Sequence, residues 1–203
     1  NENVVIAADP SEGGDRCAAV AKSKKHADSF LVYAARIDSA QFGYELNKMG
    51  KYVQKKTGIW PTIGVERNTG MATIVTLQNL NYQMLFRMPK LGMQNKDEEE
   101  KIGWTTNTAT RPKMLDELAL SLKQMVNKIY DIETIRELMS FIRNERTGKP
   151  EAASGMNDDL VIAEAIAWQL YGMTTEKSVQ NLEEAASKFQ KEVLFDKFGL
   201  PNQ

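Results

Sequence analysis

The sequence predicts a mixed α/β domain in which an antiparallel hairpin block joins parallel strands and helices flank the sheet. Three observations predict it. Val4–Ala8 is a short apolar run that stops at Asp9-Pro10, the mark of a buried strand. Two more strand-like runs, Cys17–Ala21 and Ser29–Ile37, follow across short polar turns, so the opening segment reads as a three-stranded meander. Beyond them, helical and extended segments alternate, the pattern of crossovers between parallel strands.

The elements follow in order. The first turn, Ser11–Asp15, contains Gly13 and Gly14, and KSKKHADS forms the second. Ser39–Lys56 carries Phe42, Leu46, Met49 and Val53 at helical spacing, with Asp38 or Ser39 as N-cap. Thr62–Val65 is a fourth strand ending at Glu66, Thr69–Leu80 a second helix and Met84–Arg87 a fifth strand. Met88–Lys101 is polar and acidic and reads as an exposed loop or mobile hairpin. Asn107–Met125 is an amphipathic helix, with Leu115, Leu118, Leu122 and Met125 on one face. Ile135–Arg143 fits a helix end or a strand, and RNERTGKPEAASG a loop or hairpin. Asp158–Tyr171 is a helix behind Asn157 as N-cap, and Thr174–Gln203 a charged terminal helix with a tail. Domain boundaries are expected at 1–173 for the main domain and 174–203 for its helical extension.

Composition narrows the chemistry. Cys17 is the single cysteine and His26 the single histidine, which excludes an intrachain disulfide and a Cys/His zinc site. No run of eighteen apolar residues spans a membrane and no export leader is visible, so a reducing cytoplasm fits. The start at Asn1 leads us to expect a piece of a longer protein. The net charge of −1 lacks the strong basic balance of many nucleic-acid binders, although a basic groove is compatible with a neutral total.

What remains for catalysis is carboxylates, lysines, hydroxyls or a hard metal. Phosphodiester hydrolysis without histidine usually takes divalent ions, Mg²⁺ or Mn²⁺ and often two of them, held by oxygen ligands. Two carboxylates about 4 Å apart repel by roughly 4 kcal/mol at an effective dielectric near 20, so a cluster of them calls for a cation. Asp9 stands where the first strand runs out, and Glu66 where the fourth does. If those strands lie parallel and adjacent, both acids leave the same sheet edge. Asp158 and Asp159 open the last apolar helix; neighbouring helical residues diverge by about 100°, and Asp159 is the favoured ligand of the two. Asp15 stands across the glycine turn from Asp9. Each acid also has a bland explanation: a turn residue, a surface ion pair, or an acid favoured by a helix dipole. Their order along the chain is the layout of an RNase H-like metal nuclease.

ADPSEGGD, VERN and RNERTGKPEAASGMNDDLVIAEAIA together resemble the nuclease domain of phage large terminases. GWTTNTATRPKMLDEL is similar to the segment between the second and third acidic motifs of that family, and the resemblance covers about Val4–Gly172. It implies an RNase H-like fold and a metal-dependent endonuclease that cuts concatemeric viral DNA during packaging, in the cytoplasm of an infected bacterium. Asp9 then matches the first metal-binding acid, Glu66 the second, the Asp158-Asp159 pair the third motif and Asp15 an accessory acid. Implied partners are double-stranded DNA, an ATPase motor domain of the same full-length protein, the portal and the small terminase subunit. The motor's phosphate loop, GxxxxGK[ST], does not occur in this sequence. Several relatives place a histidine before the paired acids, where this chain has Met156-Asn157.

Candidates for the DNA backbone are Arg67 and Asn68 after the second acid, Thr105, Asn107 and Arg111 near a helix start, and Arg143 and Lys149 in the RNERTGKPEAASG loop or hairpin. Surface pairing, helix capping and a solvated basic loop explain them equally well. Two other functions stay open from the residues: another RNase H-like enzyme such as a junction resolvase or recombinase, or a non-catalytic domain docking on DNA or portal.

Overall fold

The computed structural model describes residues 2–11, 16–89, 101–144, 148 and 150–173. Asn1–Tyr171 form one compact unit, and of the second unit, Gly172–Gln203, the first two residues are described. The expected terminal helix over Thr174–Gln203 and most of the expected loop over Met88–Lys101 lie outside the described residues, as do Asp15 and Lys149.

Five strands make one sheet: β1 (Val4–Asp9), β2 (Cys17–Ser23), β3 (Asp28–Ala35), β4 (Thr62–Val65) and β5 (Lys128–Ile129), in the order β4-β1-β2-β3-β5. β1, β2 and β3 form the antiparallel meander, while β4 pairs with β1 and β5 with β3 in parallel. β1 and β2 are apolar along most of their length because both their faces are covered. Met84–Arg87, expected as a fifth strand, forms only isolated bridges at Leu85 and Arg87. It borders β4 through an isolated Ile63–Leu85 bridge, with Phe86 N–H donating to the Ile63 carbonyl at 2.8 Å.

The period of two assigns the faces. Val4, Ile6 and Ala8, with Cys17, Ala19, Ala21, Ile63 and Val65, point into a core closed by α1 (Ser39–Thr57) and α2 (Met71–Asn79). Asp38 caps α1, accepting from the Gln41 amide at 2.9 Å, and Gly58 closes it with φ +80°. Phe42, Leu46 and Val53 on its inner stripe are fully buried, each worth about 1.5–3 kcal/mol.

The opposite sheet face is covered by a helix over 159–173, called α5 below. A Cβ on Gly64 of β4 would meet Leu170 of that helix at 2.4 Å, which shows how closely it packs. α3 (Thr110–Lys123) contributes Met114, Leu115 and Leu118 to the buried set. It starts later than expected: Asn107 accepts from the Ala109 and Thr110 amides while Thr110 Oγ1 accepts from the Asn107 amide, so the predicted cap lies just before the helix. α4 (Ile132–Ser140) runs into β6 (Phe141–Arg143), which pairs with β7 (Pro150–Ala152) as a hairpin. Both readings of the Ile135–Arg143 segment therefore apply, one after the other.

The sequence reading misplaces two details. Lys22 and Ser23, expected in the turn, belong to β2, and Lys22 is completely buried. Asp158, not Asn157, is the last residue before α5, its carbonyl accepting from the Ile162 amide at 2.9 Å.

Candidate metal centre

Asp9 ends β1, and Glu66 directly follows β4. The parallel register sets Ala8 beside Val65, so the two acids leave neighbouring strands at the same edge. Asp9 shares the parity of Val5 and Ala7, and Glu66 that of Gly64. Both therefore fall on the sheet face covered by α5. The N-terminal turn of α5 brings Asp158 and Asp159 to the same edge. All four acids line one cleft of about 470 Å³, together with Asn68, Thr69 and Arg111.

The two strand-end acids are held from behind. Glu66 is buried; its N–H donates to the Ala8 carbonyl at 2.8 Å, and its Oε2 accepts from the Thr69 amide at 3.2 Å. The Thr69 hydroxyl donates to the Pro10 carbonyl at 2.6 Å, tying the chain after β4 to the chain after β1. Gly70 fills the space between them: a Cβ there would stand 2.1 Å from the Glu66 carbonyl oxygen and 2.9 Å from Pro10 Cγ. Gly103, at φ +93°, closes the other flank, where a Cβ would meet the Val65 carbonyl at 2.6 Å.

The helix-borne acids are held by arginines. Arg111 of α3 lies 3.1 Å from Asp158 Oδ2. Arg16 Nε lies 3.4 Å from Asp159 Oδ2, and its two terminal nitrogens bond Glu133 and Glu137 of α4. Glu137 is buried and also accepts from the Leu160 amide at 2.8 Å, in the first turn of α5. Burial pushes its carboxyl above the usual range, against the Leu160 and Arg16 interactions. Burial alone would lower the Arg16 value, but the carboxylates around it outweigh that and raise it.

Asp9 carries the electrostatic signature of the cleft. Its carboxyl is held well above the usual range, first by burial, then by repulsion from Glu66, Asp159 and Asp158, against the attraction of Arg111. A hard dication suits such a group of oxygen donors and would offset their mutual repulsion, so the residue types fit Mg²⁺ or Mn²⁺. Among the described residues no three His, Cys, Asp or Glu side chains converge into a ready metal cage. Two of the four acids are engaged by guanidinium instead.

The predicted backbone-contact residues divide. Asn68 and Arg111 line the cleft; Asn68 Nδ2 donates to the Thr106 carbonyl at 2.5 Å. Arg67 turns to the Ile102 carbonyl at 3.3 Å. Thr105 accepts at its carbonyl from the Thr110 hydroxyl at 3.0 Å. Asn107, with Thr106 and Arg111, borders an adjoining hollow of about 350 Å³ that reaches Pro150 and Glu151 of the hairpin. Arg143 lies on the hairpin, donating to the Gly148 carbonyl at 2.8 Å. Trp104 is buried and packs near Phe86 at 6.5 Å between ring centroids, so it anchors this flank of the sheet. Sequence reasoning missed Arg16, Thr69, Gly70, Glu133 and Glu137. Only the glycine among them carries a signal, as a glycine at the start of the expected second helix.

No family model matches the chain, and no curated protein matches it in sequence. Solved structures do match. The large terminase nuclease from thermophilic phage G20c aligns over 84% of this chain and 83% of that chain, at 14% identity and TM-score 0.62. The large terminase nuclease domain of Thermus phage P74-26 aligns over 84% and 80%, at 16% identity and TM-score 0.58. The human cytomegalovirus terminase nuclease domain, soaked with Mn and bound to an inhibitor, aligns over 83% and 82%, at 14% identity and TM-score 0.56. The mixed sheet, its helices and these alignments agree: the chain has the RNase H-like fold of a large-terminase nuclease domain.

Proposed function

We propose that the chain is a divalent-metal-dependent endodeoxyribonuclease, the cutting part of a large terminase that severs concatemeric viral DNA during genome packaging. The observation that carries this reading is the cleft itself. Acids from the end of β1, the end of β4 and the start of α5 share it, on a fold otherwise seen in terminase nucleases. The G20c domain has been solved with bound magnesium, which supports the same class of ion here.

Asp9, Glu66 and Asp159, with Asp158, would supply the oxygen donors for Mg²⁺ or Mn²⁺, and Asp15 a further one. When bound, a pair of such ions supplies an activated water and charge stabilisation at the leaving oxygen. Asn68 and Arg111 then face the phosphates from the cleft wall. Arg67, Thr105, Asn107, Arg143 and Lys149 are assigned to the flanking backbone. DNA is the substrate partner; the motor domain of the same protein, the portal and the small subunit complete the machine in the host cytoplasm. Among the described residues, no helix is long and apolar enough to cross a membrane.

A second reading, in which the acids are structural in a docking domain, draws on the Arg111–Asp158 and Arg16–Asp159 pairs. One experiment separates the two. Plasmid DNA is incubated with the protein and Mn²⁺ or Mg²⁺, beside Asp9→Ala, Glu66→Ala and Asp159→Ala. Cutting is expected in the parent and reduced by about 100-fold or more in each variant. Unchanged cutting in all three would sink the site.

A further inference from the structure

Arg16 is shared unequally among three carboxylates. Its terminal nitrogens go to Glu133 and Glu137, and only Nε reaches Asp159, at 3.4 Å. Glu133 is 55% exposed at its side chain and Glu137 7%. Both belong to α4, which contributes no lining residue to the cleft. The guanidinium carries one positive charge. Each glutamate that binds it reduces what it gives to Asp159.

We propose that Glu133 and Glu137 are positioning residues that draw the charge of Arg16 away from Asp159 and so set the affinity of the cleft for a divalent cation. This rests on the metal-nuclease reading above. Take away the charge of Glu137, and Arg16 neutralises Asp159 more fully, weakening the cation site. Take away Arg16 as well, and the local charge returns to its starting value. A purely structural Glu137, serving only as the acceptor for the Leu160 amide, predicts something else: glutamine keeps that acceptor and should change nothing.

The test is Mn²⁺ binding to the full chain, read by titration calorimetry and by electron paramagnetic resonance of free Mn²⁺. Glu137→Gln is expected to weaken binding by about 10-fold. Glu133→Gln, at a more exposed position, is expected to weaken it by about 2–3-fold. Arg16→Gln should tighten binding, and Arg16→Gln with Glu137→Gln should return it to within about twofold of the parent, as the charge count requires. Unchanged affinity in Glu137→Gln, or a double variant as weak as that single variant, overturns the proposal. If Glu137→Gln does not fold, Glu133→Gln and Arg16→Gln still move in opposite directions or the proposal fails. Asp9→Asn serves as the control: a parent that binds no Mn²⁺ overturns the metal centre itself. A parent that binds, and loses binding in Asp9→Asn, leaves only the glutamate proposal at stake.

Discussion

Lys22 and Glu164 offer a direct test of what holds α5 over the sheet. Both side chains are 0% exposed, and Nζ lies 2.6 Å from Oε1. The pair is well satisfied. Lys22 Nζ donates to Ser29 Oγ at 2.7 Å and to Asn127 Oδ1 at 2.6 Å, and the Ser29 hydroxyl donates to Glu164 Oε2 at 2.8 Å. Lys22→Met keeps much of the length and volume but strands the glutamate in the interior. Breaking one side of a buried pair costs about 3–5 kcal/mol. In a domain of this size about 1 kcal/mol moves Tm by about 2–4 °C, so a fall of about 6–20 °C is expected. Replacing both partners, Lys22→Met with Glu164→Leu, removes the stranded charge and should recover most of the loss. Urea unfolding monitored by circular dichroism measures this, provided the m-value stays constant. The same helix carries Asp159, so DNA cutting at a temperature near the lowered Tm should fall with the single variant and return with the double. A Lys22→Met protein within about 1 kcal/mol of the parent would refute the reasoning, as would a double variant no more stable than the single.

Two further outcomes follow from the cleft. Because burial and neighbouring acids raise Asp9, the stability tied to its protonated form is complete below the ordinary Asp range and is lost as pH rises through the raised value. Asp9→Asn should therefore raise the melting temperature of the metal-free chain at neutral pH and remove any stabilisation by Mn²⁺. By the same linkage, Mn²⁺ affinity of the parent should fall as pH drops through the raised value. An affinity that stays flat from neutral pH down into the ordinary carboxylate range would count against Asp9 as a ligand. Gly70→Ala should cost about 1–3 kcal/mol and impair cutting with every carboxylate intact, because the added methyl pushes on the Glu66 backbone and Pro10. Thermal melting and the plasmid assay read this together; full cutting would show that the gap at Gly70 does not set the spacing of the acids.

Much of this arrangement was legible before the structure. Buried strands announce themselves by apolar runs, and a run that stops at an acid places that acid at a sheet edge; Asp9 and Glu66 were readable for that reason. The stripe at Phe42, Leu46, Met49 and Val53 likewise settles α1. Lys22 was not readable. A lysine among KSKKHADS looks like solvated turn, and its burial depends on Glu164, far along the chain, which no local pattern reports. Arg16, Glu133 and Glu137 were hidden for the same reason. The hairpin strands β6 and β7 were ambiguous because segments this short do not complete a period.

α4 shows most plainly where hydrophobic patterning stops being a guide. Its buried residues are Thr134 and Glu137, whereas Ile132 and Met139 are 64% and 80% exposed. A helix oriented by burial alone would be turned the other way, since hydrophobic side chains gain about 1.5–3 kcal/mol each on full burial. Polar contacts oppose that rotation. Asp131 caps the helix through the Thr134 amide at 2.7 Å, and Glu133 and Glu137 hold Arg16. Glu137 also takes up the Leu160 amide at 2.8 Å, a donor that the α5 N-terminus would otherwise leave unmatched. Turning α4 over would bury its apolar stripe but leave a guanidinium, a helix terminus and the neighbourhood of Asp159 without their partners. Each such loss in a buried setting costs about 1–3 kcal/mol or more, so together they offset the hydrophobic gain. The orientation of α4 is thus set by the cleft's charges, and its outward apolar face is a consequence of that.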